Sequence, residues 1–193
     1  RCTRYPLTPD DPALIRGRIA EAIDAEDLVI ISAGSSAGTR DFTAGAIADL
    51  GEVLVHGVAM KPGKPVILGR IRGKPVIGLP GYPLSAVTVL RELVAPFLAR
   101  YGLPPDPGTT VPATLASPLP SELGVEEFVF LSLGRIRDRG VAVRHGRGAG
   151  VQMSGVRANA YFSINTGKEG VEAGEEVRAR LMVPLDEAGQ AVL

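Results

Sequence analysis

Three short segments carry residue types that can hold an anion. The first is Ser32-Ala-Gly-Ser-Ser-Ala-Gly-Thr-Arg-Asp41. The apolar run Asp27-Leu-Val-Ile-Ile-Ser32 enters it as a buried strand, and a helix leaves it from Asp41 to Leu50. Gly34 and Gly38 let backbone N–H groups come close to a ligand, and Ser35 and Ser36 add hydroxyls. Arg40 adds charge, and the helix start adds unpaired donors and a positive dipole end. This composition fits a phosphate or oxyanion cradle; the plainer alternative is a tight turn with a Ser or Thr cap. It is not a nucleotide P-loop, because no Lys-Ser/Thr pair follows the second glycine.

The second segment is Met60-Lys-Pro-Gly-Lys-Pro65. Pro62-Gly63 has the pattern of a type II turn, which would bring the Cα atoms of Lys61 and Lys64 within about 7 Å. Each lysine precedes a proline and is biased to extended backbone. Two ammonium groups framed so rigidly read as an anion clamp; the alternative is two solvated loop lysines. The third segment, Gly78-Leu-Pro-Gly-Tyr-Pro-Leu-Ser-Ala86, again runs from strand through glycine turn to helix. Gly81 allows close approach, Pro83 suits the first helical turn, and the Ser85 hydroxyl can face the entrance. Tyr82 reads as a rim residue able to stack on a flat ring. Loops at the carboxyl ends of strands in an open α/β sheet share one rim, where ligands bind.

Asp41 has two readings: a carboxylate favoured by the helix dipole, or a metal ligand or acid/base group beside the anion. His56 and His145 read as structural, and their separation excludes a His-rich metal cluster. A single cysteine, Cys2, can form neither an internal disulfide nor a thiolate metal site.

These segments need elements to position them. A helix is expected from Asp10-Asp11-Pro12 to about Asp24, strands at 27–32 and 52–57, and paired strands 66–70 and 74–79 around Ile71-Arg72-Gly73. A long helix is expected from Pro83 to about Tyr101. Helices alternating with strands predict a layered, mainly parallel α/β domain over residues 1–102. Gly102-Leu-Pro-Pro-Asp-Pro-Gly108 marks a linker over 103–109. Residues 110–193 then read as all-β, with strands near 110–115, 127–135, 141–145, 160–164 and 176–181, forming a small barrel-like domain.

Among 193 residues, 45% are hydrophobic, so a sizeable core can be buried. Lys plus Arg equals Asp plus Glu at 21 each, which argues against a general nucleic-acid binder. No apolar run approaches the roughly 18 residues of a membrane span. No secretory leader opens the sequence. It starts Arg1-Cys2-Thr3-Arg4 without an initiator methionine, and reads as the C-terminal part of a longer protein.

The order and spacing of these segments resemble molybdopterin molybdenumtransferases, relatives of the gephyrin E domain. The resemblance rests on Asp27–Asp41, on Val58-Ala-Met-Lys-Pro-Gly-Lys-Pro65 and on Gly78–Ala86. The second half agrees at Gly148-Ala-Gly150, Met153-Ser-Gly155, Ala158-Asn159 and Gly170–Val177. The resemblance implies insertion of molybdate, or tungstate, into adenylylated molybdopterin, with AMP released and Mg(2+) as the divalent cation. It implies that the Gly34–Gly38 loop, including Ser35 and Ser36, joins Gly81 and Ser85 in holding the pterin's phosphate end. Lys61 and Lys64 would hold molybdate or the neighbouring phosphate, Asp41 would serve metal binding or hydrolysis, and Ser154 would turn toward the site. A cytoplasmic homodimer without nucleic-acid or membrane partners is the implied setting. Three positions depart from the family: Thr39 replaces an acid, Tyr82 an amide, and Phe130 an arginine. The competing functions are a non-enzymatic molybdate or molybdopterin binder or scaffold, and an adenylyltransferase-like enzyme on the same scaffold.

Overall fold

The computed structural model describes residues 1–35, 42–104, 108–145 and 155–182, with backbone only for 33–35. The chain divides into two units, Arg1–Val58 with Gly63–Val89, and Ala59–Pro62 with Leu90–Leu193. Each is described by itself.

In the first unit, helix α1 spans Pro12–Ala25. Asp11 caps it, its Oδ1 accepting from Ala13 N at 2.8 Å and Leu14 N at 3.0 Å. Pro12, which lacks an N–H, fills the first helical position without loss. The four strands are β1 (Val29–Ser35), β2 (Glu52–His56), β4 (Ile67–Ile71) and β5 (Lys74–Pro80); α2 (Phe42–Leu50) follows β1. The short strand β3 (Met60–Lys61) belongs to the other unit.

The sheet order is β1-β5-β4-β2. Only β1 and β5 run parallel; β4 is antiparallel to both β5 and β2. The expected mainly parallel sheet is therefore corrected to a mixed one among the described residues. The cause is local. Arg72 and Gly73 take φ of 50° and 80°, the double positive φ of a two-residue hairpin turn, which forces β4 and β5 antiparallel. Arg72 ion-pairs with Asp24, and Lys74 Nζ donates to Ile23 O at 2.7 Å, so the hairpin is tied to the end of α1.

Ile19, Ala22 and Ile23 of α1 and Ala46 and Ile47 of α2 form the core with Val29, Ile67, Ile71 and Val76 of the sheet. Glycines let α2 lie close. A Cβ on Gly69 would stand 2.5 Å from Ile47 Cγ2 and 3.0 Å from Glu52 O.

The expected helix over 83–101 is interrupted. It runs as α3 (Pro83–Val89), a π turn at Leu90–Val94, and α4 (Ala95–Ala99). Pro96 has no N–H for the Glu92 carbonyl, so a regular α ladder cannot pass through it.

In the second unit, β6 (Thr110–Leu115), β8 (Glu126–Ile136), β9 (Arg139–Arg144), β10 (Ala160–Ile164) and β12 (Glu176–Leu181) close a barrel. The circuit is β8-β9-β6-β12-β10 and back to β8. Closure removes the open sheet edges. Its interior mixes Leu and Val with Ala113, Ala142, Ala160 and Ala179, small residues that fit a narrow barrel. Strand β3 lies parallel to the start of β8. Strands β7 (Leu119–Pro120) and β11 (Gly170–Val171) pair beside the barrel; like β3, they are too short to show a period in the sequence.

Candidate functional site

Register brings the ends of β1 and β5 together on one rim of the first unit. Ser35, the last residue of β1, pairs with Pro80, the last of β5, so both strands end side by side. The Gly81 turn into α3 leaves the sheet at this end. Strand β4 runs the other way and starts here, with Ile67 opposite Gly78. Lys64, three residues before Ile67, therefore enters at the same rim. Val58 N–H donates to Lys64 O at 2.9 Å, and Gly57 N–H to Val66 O at 2.8 Å, which anchors the segment. Lys64 is exposed. Gly81 is exposed too, and a Cβ there would meet nothing within 4 Å. Tyr82 is 72% exposed, as a rim residue must be, whereas Ser85 is buried in the first turn of α3. Ser36, Gly38, Asp41 and Ser154 lie outside the described residues, and Gly34 and Ser35 are described by backbone alone.

The Pro62-Gly63 turn differs in detail from the type II expectation. Gly63 does take a positive φ, 124°, which explains the glycine. The Lys61–Pro62 bond is cis, and the reversal is closed further along, by Val66 N–H donating to Gly63 O at 3.2 Å. Lys61 is extended, as the following proline requires, but as strand β3 on the barrel, opposite Glu127 of β8. Its Nζ donates to Glu122 Oε1 at 3.1 Å. The two lysines thus fall in different units.

Sequence reasoning passed over Glu122, since 61 residues separate it from Lys61 and no local pattern links them. It likewise passed over the Glu127–Arg144 ion pair, 3.2 Å long and mostly buried. On β8, Glu127, Val129, Leu131 and Leu133 share the inward parity, so this pair continues the interior column of the barrel.

Phe128 and Phe130 take the opposite face of β8. Their ring centroids lie 6.4 Å and 6.2 Å from that of Tyr161. Phe130, expected to stand at an arginine position of the resembled family, makes a buried aromatic contact here. Tyr161 donates its hydroxyl to Glu92 Oε1 at 2.6 Å, and Arg91 lies 5.8 Å from its ring centre. Burial first, and then the Glu92 carboxylate, push the Tyr161 phenol up to about 12. His145 Nε2 lies 2.6 Å from Ser132 Oγ, and the Ser132 hydroxyl donates to Arg157 O at 3.2 Å. Among the described residues no three His, Cys, Asp or Glu side chains gather as a metal site. Among the described residues, the rim offers the Lys64 ammonium and exposed glycine backbone, groups that can hold an anion.

Residues 1–100 match the family model of the probable molybdopterin binding domain, and residues 112–182 match the C-terminal region, domain IV, of MoeA. A relative in Methanocaldococcus jannaschii that bears a molybdopterin biosynthesis name is 34% identical over 178 residues, covering 92% of this chain and 42% of its own length. The molybdopterin molybdenumtransferase of Haemophilus influenzae is 38% identical over 94 residues, 49% of this chain and 23% of that enzyme. The solved molybdopterin biosynthesis MoeA protein of Pyrococcus horikoshii superposes with a TM-score of 0.73 at 36% identity, over 90% of this chain and 42% of that one. The molybdenum cofactor biosynthesis protein of Pyrococcus furiosus gives 0.71 at 31%, over 92% and 57%. The chain spans less than half the length of the curated relatives named here. A molybdopterin-binding domain followed by a domain with a closed barrel is the MoeA arrangement, and the chain belongs to the molybdopterin molybdenumtransferase (MoeA) family.

Proposed function

We propose that this chain carries part of the site that inserts molybdate into adenylylated molybdopterin and releases AMP. Membership of a molybdenum-cofactor biosynthesis family supports the reaction class. The observation that carries the site is the shared rim, where Ser35 meets Pro80 and Lys64 enters opposite the end of β5. Such a rim gathers glycine backbone, the α3 entrance and a cation around one anionic group. In this reading Gly34, Ser35, Ser36, Gly38, Gly81 and Ser85 hold the phosphate end of the pterin. Lys64 in the first unit, and Lys61 and Ser154 in the second, are each read as oxyanion ligands. Asp41 would supply a carboxylate oxygen for Mg(2+), a cation that prefers oxygen ligands. Bound there, the cation would offset charge on the adenylate anhydride. Residues 1–102 form the molybdopterin-binding half and residues 110–193 the C-terminal half of a cytoplasmic homodimer.

The test is AMP release from adenylylated molybdopterin and molybdate by the full-length protein, followed by chromatography. Lys64→Ala is expected to lower turnover at least tenfold with the fold unchanged by circular dichroism. A protein that binds the substrate yet frees no AMP would overturn the enzymatic reading in favour of a carrier.

A further inference from the structure

Lys61 is held at two levels. Its backbone is fixed to the barrel, for Met60 and Lys61 run beside Glu126 and Glu127, and Glu126 N–H donates to Ala59 O at 2.9 Å. Its ammonium is held by Glu122 at 3.1 Å. Glu122 lies between β7 and β8, in a segment tied down on both sides. Ser121 N–H donates to Glu169 O at 2.7 Å and Gly124 N–H to Thr166 O at 2.8 Å. The carboxylate therefore reaches Lys61 from an anchored turn.

Glu122 touches this lysine, and Glu126 and Glu127 lie on the strand paired beside it. They are not equivalent. Glu127 is 7% exposed in its side chain and holds Arg144, so moving it would strand a buried charge. The Glu122 and Lys61 side chains are 70% and 52% exposed. A solvated pair of that kind separates at little cost. An anion reaching the Lys61 ammonium meets a carboxylate already there, and Glu122 is the one with water to move into.

We infer that Glu122 is a built-in counter-anion that sets the oxyanion affinity of Lys61 and is displaced when ligand binds. The inference rests on the proposed role of Lys61 as an oxyanion ligand. A monoanion replacing Glu122 exchanges one negative charge for another. A dianion such as molybdate, tungstate or a phosphate monoester adds a second charge opposite the ammonium. The device therefore favours dianions and keeps common monoanions out.

The test is calorimetric titration of this chain with sodium tungstate. Glu122→Gln, Lys61→Ala, the double variant and Asp138→Asn are compared; Asp138 is an exposed carboxylate elsewhere on the barrel. Glu122→Gln is expected to bind about two- to fivefold tighter, the range of an exposed ion pair. The gain should vanish in the Lys61→Ala background and be missing from Asp138→Asn. Equal affinity for the parent chain and Glu122→Gln, with Lys61→Ala weaker, refutes the role of Glu122 alone. A gain that persists without Lys61 also refutes it. Silence from both the parent and Glu122→Gln refutes the reading of Lys61 itself.

Discussion

Asn159 stands in for a strand residue beyond the start of β10, and its removal should weaken the β8–β10 seam of the barrel. Ala160 is the first residue of β10 and pairs with Leu131 of β8. Two residues along β8, Leu133 has no backbone partner from β10. The Asn159 amide fills the place: Oδ1 accepts from Leu133 N at 2.7 Å, and Nδ2 donates to Leu133 O at 3.0 Å. Asn159 and Leu133 are both buried. Asn159→Ala leaves one donor and one acceptor of Leu133 unpaired, each costing about 1–3 kcal/mol when buried. Some relaxation makes about 2–4 kcal/mol the expected loss, or a midpoint shift of about 1–2 M urea for a typical denaturant slope. Unfolding followed by circular dichroism gives the total, and hydrogen exchange at the Leu133 amide gives the local effect. Asn159→Asp adds a sign test. An ionised carboxylate accepts from Leu133 N–H but faces Leu133 O without a proton to donate. This variant should gain on Asn159→Ala as the pH falls and the carboxyl becomes a donor. A loss below about 0.5 kcal/mol, compared with the roughly 1 kcal/mol of an average bond, together with unchanged exchange at Leu133 would refute the strand-replacement argument.

Gly69→Ala should cost about 1–3 kcal/mol, since its Cβ would meet Ile47 Cγ2 and the Glu52 carbonyl; thermal melts check this, and the cost of Gly69→Ala should be smaller when measured in an Ile47→Ala background. Alkaline titration at 295 nm should show one of the four tyrosines ionising late, near 12, and Tyr161→Phe should delete that phase. The sign follows from linkage. The folded phenol binds its proton more tightly than the unfolded one, so its contribution is complete below about 10 and is lost as the pH climbs through about 12.

Much of the local structure was legible in the residues. Asp11-Pro12 announces α1, Arg72-Gly73 the β4–β5 hairpin, and the alternating runs of the second half its five barrel strands. The spacing of Met60–Pro65 and Gly78–Ala86 pointed to the family that the comparisons bear out. Caps, turns and side-chain periods act within a few residues, so their causes lie in the adjacent sequence. Pro96 shows the limit even there. The apolar pattern runs straight through it, while the missing N–H breaks the helix.

Tertiary structure alone decided which strands meet and which charges face each other. The parallel partner of β1 is β5, with β4 inserted beyond it rather than beside β1. Two residues, Met60 and Lys61, leave the first unit to lie against β8. Lys61 meets Glu122, Glu127 meets Arg144, and Asn159 meets Leu133, none of them neighbours in the chain. Such contacts form only when barrel closure repays the entropy of joining distant segments, and that balance depends on the whole packed core rather than on any local run of residues.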